Sequence, residues 1–360
     1  MAVKSEIQYF LGANSPTGFY SLYDQLLPPE RAEKIFILKG GPGCGKSTLM
    51  RKIAAAAQKR DEAVEYILCS GDPASLDAIV LPQARTALVD GTAPHVVEPK
   101  YPGAVEHYLN LGECYDANEL SSLRYDLQHC MTSYKESYQR AYRCLSAAAE
   151  IFTDIRVTLQ TDALEEKAAK RAKGILSREG KPLKTNAPGD VKQRFLSAVT
   201  HRGHLCLFHT AFAQCDRIYE LADSFGLSHV LLSHLLSGFT SYGYDVIACP
   251  NPMAPERLEH LLIPQLSLAF LTCAPNLPFP ADSYRRIRMD SMADQTLLHR
   301  SRPRLRFYKK VFATLMEEAV SALSQAKEIH DDLEGIYHPH VNFQRVDEYA
   351  AKLLTELNLT

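Results

Sequence analysis

The sequence predicts an α/β chain built from two tandem three-layer units with parallel sheets, each extended by a helical segment. Three observations carry this. The apolar run Ile35-Phe36-Ile37-Leu38 is followed by a glycine-rich loop. The stretch Leu49 to Lys59 then has no Gly or Pro, so strand, loop and helix follow one another. The order of features in the first half recurs in the second. A long, breaker-poor stretch from about Asn118 to Lys173 reads as helix.

Taken in order, Phe10-Leu11-Gly12-Ala13 leads through Gly18-Phe19-Tyr20 to Pro28-Pro29 and the strand at Ile35. After the first helix, Val64 to Cys69 reads as a second strand and Ser70-Gly71-Asp72-Pro73 as a turn. Leu76 to Leu81 is apolar at most positions, and Thr86 to Asp90 reads as a strand ending in a carboxylate. Lys167, Lys170, Arg171, Lys173, Arg178, Lys181 and Lys184, punctuated by Gly174, Gly180, Pro182, Pro188 and Gly189, read as a basic linker over 166–193. The linker divides a first domain, 1–165, from a second, 194–360. A chain of 360 residues is comfortable as two domains.

The repeat rests on many weak matches in one order. Phe195-Leu196-Ser197-Ala198 and Gly203 match Phe10-Leu11-Gly12-Ala13 and Gly18. Arg217 to Leu221 match Lys34 to Leu38, and Tyr244 to Cys249 match Glu62 to Cys69 in character. Leu258 and Pro264-Gln265 match Leu76 and Pro82-Gln83. Ala269 to Thr272 fall on Ala87 to Asp90, and Ala274-Pro275-Asn276 on Ala93-Pro94-His95. Ala319, Leu323 and Glu328 fall on Ala141, Leu145 and Glu150. Ala350, Ala351 and Lys352 fall on Ala168, Ala169 and Lys170. The offset drifts slowly, as small loop insertions make it.

Gly40-Gly41-Pro42-Gly43-Cys44-Gly45-Lys46-Ser47-Thr48 fits the phosphate-binding P-loop, Gly, four residues, then Gly-Lys-Ser, in its required strand–loop–helix setting. Successive amides and the helix N-terminus then hold a polyphosphate. Lys46 is expected on the β- and γ-phosphates, and Thr48 with the amides of Gly43 and Gly45 on the α- and β-phosphates. Ser47 and the strand-end Asp90 are expected on Mg²⁺. Cys44 reads as a small filler. For the water-activating group Asp72, Asp77 and His95 are candidates, with Glu106 and Glu113 behind them. Asp72 also suits a turn, Asp77 a helix face and His95 polar surface. Opposite the loop, the second half reads Asp223 to Leu231. Only Gly226 survives there, His229 replaces Lys46, and Thr272 replaces Asp90. The second unit therefore keeps the fold without binding a nucleotide in the usual way, and Asp223 puts an anion where the polyphosphate would lie.

The loop, the segment Cys69 to Leu81 and Asp90-Gly91-Thr92-Ala93-Pro94-His95-Val96 together resemble a family of bacterial tandem P-loop NTPase proteins, described as ATP-binding or ATPase-like. The resemblance covers the whole chain, so it implies two tandem P-loop NTPase-like units. Members often carry the loop in both halves; here the second is degenerate.

Composition sets outer limits. The 40 basic and 42 acidic residues nearly cancel and argue neither for nor against nucleic acid. Nine scattered cysteines, an odd number with no Cys-x-x-Cys, suit a reducing, cytoplasmic setting. Met1 to Tyr9 shows no signal core, and Leu258 to Ala274 is too interrupted to span a bilayer. His201, His204 and His209 lack ligand spacing. The basic cluster from Arg285 to Lys310 fits a solvated face, an arginine finger or a nucleic-acid patch. Three functions remain open. One is Mg-dependent binding and hydrolysis of ATP or another NTP. Another is a small-molecule or nucleotide kinase, which the Gly-Gly-Pro-Gly and Asp-Gly elements resemble faintly, without the arginine such enzymes place after that Asp-Gly. The third is a non-catalytic nucleotide sensor with a protein partner or a second copy of itself.

Overall fold

A computed structural model describes residues 6–184, 187–275 and 277–360. Met1 to Ser5, within the region searched for a signal core, lie outside the described residues. So do Thr185 and Asn186 of the expected linker, and Asn276 of the repeat.

The first unit opens with β1 (Ile7–Phe10) and a hairpin of β2 (Gly12–Ser15) and β3 (Gly18–Ser21). It continues through β4 (Lys34–Lys39), α1 (Lys46–Lys59), β5 (Glu65–Leu68), β6 (Leu76–Leu81), β7 (Thr86–Asp90) and β8 (Glu106–Asn110). Short α2 (Ala117–Ser122) leads to α3 (Arg124–Leu159) and α4 (Asp162–Glu179). The second unit repeats the plan. Its β9 (Val191–Gln193), β10 (Ser197–Thr200) and β11 (Gly203–Cys206) precede α5 (Phe208–Gln214) and β12 (Arg217–Ala222). Then come α6 (Ser228–Ser241), β13 (Val246–Asn251), β14 (Ala254–Ile263), β15 (Leu268–Cys273), β16 (Arg285–Arg288), α7 (Gln295–Tyr337) and α8 (Phe343–Glu356).

Two six-stranded sheets result, ordered β1-β5-β6-β7-β4-β8 and β9-β13-β14-β15-β12-β16. The orders correspond strand for strand, and so do the registers. Ile35 pairs with Ala87 in one sheet, and Ile218 with Ala269 in the other. The buried strands are runs of apolar residues, as in Ile35 to Leu38 and Leu268 to Leu271. Helices flank both sheets, giving two tandem α/β units of the expected class.

Two features differ from the sequence expectation. The sheets are mostly, not wholly, parallel: β6 runs antiparallel to β5 and β7, and β14 to β13 and β15. The turns at 69–75 and 82–85 are too short for the crossover that a parallel pair needs. The first half of the basic linker is also helix. Leu164, Ala168, Ala172 and Ile175 recur at helical spacing and are buried, while the lysines of 167–173 lie on other faces. What connects the units is the segment after Glu179.

The terminal helix of each unit packs on the other one. The apolar stripe of α4 joins the core of the second unit against α6. Val346, Ala350 and Leu353 of α8 join the core of the first, beside α1. The domain boundary at 165 therefore does not follow the packing. Between the units α3 and α7 lie antiparallel over most of their length, with Ala141, Leu145, Ala319 and Leu323 in a shared apolar cluster. A buried ion pair ties the same interface. Fully buried Arg194 donates to Glu65 Oε1 at 2.5 Å and to the carbonyls of Gln25 and Leu26.

Candidate functional site

The loop between β4 and α1 takes its shape from its glycines. Gly43 and Gly45 have φ of 69° and 88°, a region costly for any side chain, and α1 starts at Lys46 directly after Gly45. Cys44 is buried and fills space beneath the loop, as expected. No acceptor among the described residues takes the N–H groups of Gly43, Cys44, Gly45, Lys46 or Ser47. They form a row of free donors at a helix N-terminus, an arrangement suited to an anion. Lys46 folds back on the loop and donates to the carbonyls of Gly40 and Gly41 at 2.5 and 2.9 Å. Its ammonium also stands 3.5 Å from Asp90.

Asp90 ends β7, beside Leu38 of β4, and accepts from the backbone N–H and hydroxyl of Thr92. Ser47 lies in the first turn of α1, and its Oγ accepts from Leu76 N–H at 3.1 Å. A hydroxyl at the start of the helix and a strand-end carboxylate are oxygen ligands of the kind Mg²⁺ takes, and the lysine beside them is a cation suited to the phosphates. Thr48 is exposed.

Behind Asp90 is a buried polar cluster. Asp77 sits on β6, not on a helix, and accepts from Tyr23 Oη at 2.7 Å. His95 Nε2 is 3.4 Å from Asp77 Oδ1, an ion-pair distance rather than a short hydrogen bond. The Cys69 thiol joins them: one donor atom from each of Cys69, Asp77 and His95 lies within 4.8 Å of the others. Phe19 and Tyr23 enclose the imidazole, each with its ring centroid 5.1 Å away. His95 is thus core rather than loop surface, and its Nδ1 has no partner among the described residues. Burial alone would lower the His95 pKa. The Asp77 carboxylate outweighs it, Asp90 adds to the effect, and the imidazole is raised above its ordinary value. Asp77 is likewise opposed by burial but held low by His95 and Tyr23.

The remaining candidates are placed elsewhere. Asp72 caps its own turn, accepting from Ala74 N–H and Ser75 Oγ, and stands 3.7 Å from Lys327 of α7. Glu106 begins β8 at the end away from the loop, where it accepts from the amides of Lys100 and Tyr101. Glu113 faces Arg345 and Tyr349. His201, His204 and His209 do not come together as a ligand group among the described residues. The basic cluster offers no arginine finger to this loop. Lys310 is separated from Glu334, the α7 residue beside Gly43, by about 36 Å of helix.

Several neighbours of the loop carry no motif. Tyr115 donates to the Pro42 carbonyl at 2.9 Å, and Lys39 to that of Gly91 at 2.7 Å. Glu334 of α7 and Phe343 and Val346 of α8 line the loop from the second unit, packed where side chains on Gly43 and Gly45 would point. No pattern in the sequence points to them.

In the second unit the corresponding loop is filled by the protein itself. Asp223 accepts from the N–H groups of Phe225 and Ser228 at 2.9 and 2.6 Å, and Asp290 from that of Ser224 at 2.9 Å. Gly226 keeps the conformation of Gly43, with φ of 72°. The loop is one residue shorter here, so His229, aligned with Lys46 in sequence, is the second residue of α6 as Ser47 is of α1. Burial and then Arg257 and Arg156 lower it to about 4, so it is neutral at pH 7. Its Nδ1 accepts from Leu258 N–H, the part that Ser47 plays toward Leu76.

Residues 21–90 match a family model described as Nephrocystin 3, N-terminal. The matched segment runs from the end of β3 through the glycine loop to Asp90, well under half of the chain. No curated protein and no solved structure matches the chain. Among the described residues no helix is long and apolar enough to cross a membrane.

Proposed function

We propose that the chain binds a nucleoside triphosphate with Mg²⁺ at Gly40 to Thr48 and hydrolyses it at this single site, with the second unit as structural or regulatory partner. The observation that carries this reading is the row of unpaired amides in front of Lys46, with Asp90 3.5 Å from its ammonium. In this reading Lys46 leaves the Gly40 and Gly41 carbonyls for the β- and γ-phosphates, a more favourable partner for an ammonium. Ser47 and Asp90 hold the metal, which neutralises charge on the phosphates. Against burial, Asp77 and Asp90 raise the His95 pKa, and the buried imidazole is assigned to act electrostatically on charge at the terminal phosphate from behind Asp90, while Asp77 faces Nε2.

The bacterial tandem P-loop family is the grouping we favour, and nine cysteines without a disulfide agree with a reducing cytoplasm. Terminally radiolabelled ATP tests the reaction. Free phosphate released by the intact chain and lost with Lys46→Ala is the expected result. Label passed to an added acceptor instead of water would replace hydrolysis by kinase chemistry. Unchanged ATP affinity in Lys46→Ala would remove the site.

A further inference from the structure

The second unit has a cleft of its own, of about 1400 Å³, outside the carboxyl ends of β12, β15 and β16. Open α/β sheets take ligands at this edge. Here the loop amides are already held by Asp223 and Asp290, so a phosphate cannot sit as it would on a P-loop. The cleft answers with side chains instead. Along α7, Leu298, Arg302, Leu305, Arg306 and Lys309 recur three or four residues apart, form one stripe, and face the cleft. Arg288, at the end of β16, faces it from another side.

Arg288, Arg302 and Arg306 are exposed, and their guanidinium groups have no carboxylate or hydrogen-bond partner among the described residues. Lys309 lies over the Phe225 ring, 4.4 Å from its centroid. A solvated basic face spreads its cations. Here three unpaired guanidinium groups line one concavity, with Lys309 near enough to Asp290 to oppose the burial that raises its carboxyl, and an anion on the arginine side would relieve their mutual repulsion. Guanidinium forks match phosphate oxygens in pairs. Phe225, Phe279 and Leu298 supply apolar wall for an organic group. Glu220, Asp223, Asp282 and Asp290 lie in the same cleft. They would repel a phosphodiester chain running through it, and so confine negative charge to the arginine side.

We propose that this cleft binds a small organic polyphosphate of the nucleoside di- or triphosphate class, through Arg288, Arg302, Arg306 and Lys309. The site is separate from the P-loop, since Arg306 and Glu334 are about 42 Å apart along α7. The proposal does not depend on hydrolysis at the first site.

The test is calorimetry on the full chain carrying Lys46→Ala, titrated with ADP and with inorganic tripolyphosphate. The expected result is saturable binding of one equivalent, weakened at least about tenfold by Arg302→Ala with Arg306→Ala. Lysine at both positions should restore part of the affinity. Because these side chains are exposed and unpaired, the ligand-free melting temperature of the alanine variant should match that of its parent, which separates lost binding from lost folding. No saturable binding to the Lys46→Ala chain would overturn the proposal, as would affinity indifferent to the two arginines. Tighter binding of a short single-stranded RNA through the same arginines would also overturn it, and would make the cleft a nucleic-acid surface.

Discussion

Phe10 and Phe195 occupy equivalent positions in the two units, and each donates its backbone N–H to the other's carbonyl at 2.9 Å. Arg140 and Glu318, also equivalent, form an ion pair across the long helices. Equivalent residues meeting each other place a local two-fold axis between the units. The duplication therefore made an internal dimer, joined by the exchange of α4 and α8.

That exchange makes the P-loop unit depend on the last residues described. Leu353 is 3% exposed in the first unit's core. Leu353→Ala should cost about 2–5 kcal/mol, read by denaturant unfolding. A chain ending before Phe343 should lose the P-loop's share of ATP binding together with α1 stability, read by the stoichiometry of nucleotide titration and by hydrogen exchange of residues 46–59. A truncated chain that binds ATP normally would show that α8 is dispensable.

Arg194 has no solvent exposure, and Glu65 accepts from it and from Lys192. Arg194→Met leaves a buried carboxylate facing one partly exposed lysine. A loss of about 3–5 kcal/mol in unfolding free energy is expected. Pairing it with Glu65→Met should recover much of that loss, because both charges are then gone.

Acid should destabilise the fold through four carboxylates. Burial would raise each of them, but their partners outweigh it: Arg194 and Lys192 for Glu65, His95 for Asp77, Tyr219 with Arg178 and Arg217 for Glu179, and His260 for Glu259. Each is held below its unfolded value, so its stabilisation is full above about pH 4 and is lost as pH falls through the folded value. His95 has the opposite sign. Its folded value is raised, so its contribution is present below about pH 6.5 and fades as pH rises through the folded value. Melting temperatures across this range should fall steeply on the acid side, and Glu65→Gln should make that fall shallower.

His95→Gln should reduce ATP turnover on the order of 100-fold with a much smaller change in ATP affinity, if the imidazolium acts on charge that develops in the reaction. A matched loss of affinity and rate would instead assign His95 to ground-state binding. Steady-state kinetics beside equilibrium titration distinguishes the two.

His229→Ala should leave ATP affinity unchanged, because the neutral ring is occupied by Leu258 N–H and the loop amides by Asp223 and Asp290. A clear loss of affinity would place nucleotide on the second loop.

Features local in sequence were legible. The strand before Gly40, the glycine turn and the helix after it are encoded within neighbouring residues, and so is Asp90 at a strand end. The repeat added the shared strand order, because equivalent apolar runs build equivalent sheets. The linker was misread because Lys167 to Lys173 dominate its composition, while the buried stripe from Leu164 to Ile175 is sparse and rich in alanine. His95 was misread because nothing nearby in sequence says that Phe19, Tyr23 and Asp77 will enclose it. Glu334 and Val346 beside the P-loop were illegible for the same reason: they arrive through the exchange of helices, which leaves no local pattern.

The length of α7 constrains how this chain can change. Its 43 residues run about 65 Å, from the arginine cleft to the P-loop. One residue inserted at its middle would advance everything beyond by about 1.5 Å and turn it by about 100°. Glu334 would then leave Gly43, and Lys327 would leave Asp72. Because α3 lies antiparallel against the same helix, the two can lengthen or shorten only in whole turns and together. Insertions in homologous chains should therefore fall in the loops between strands and spare this pair.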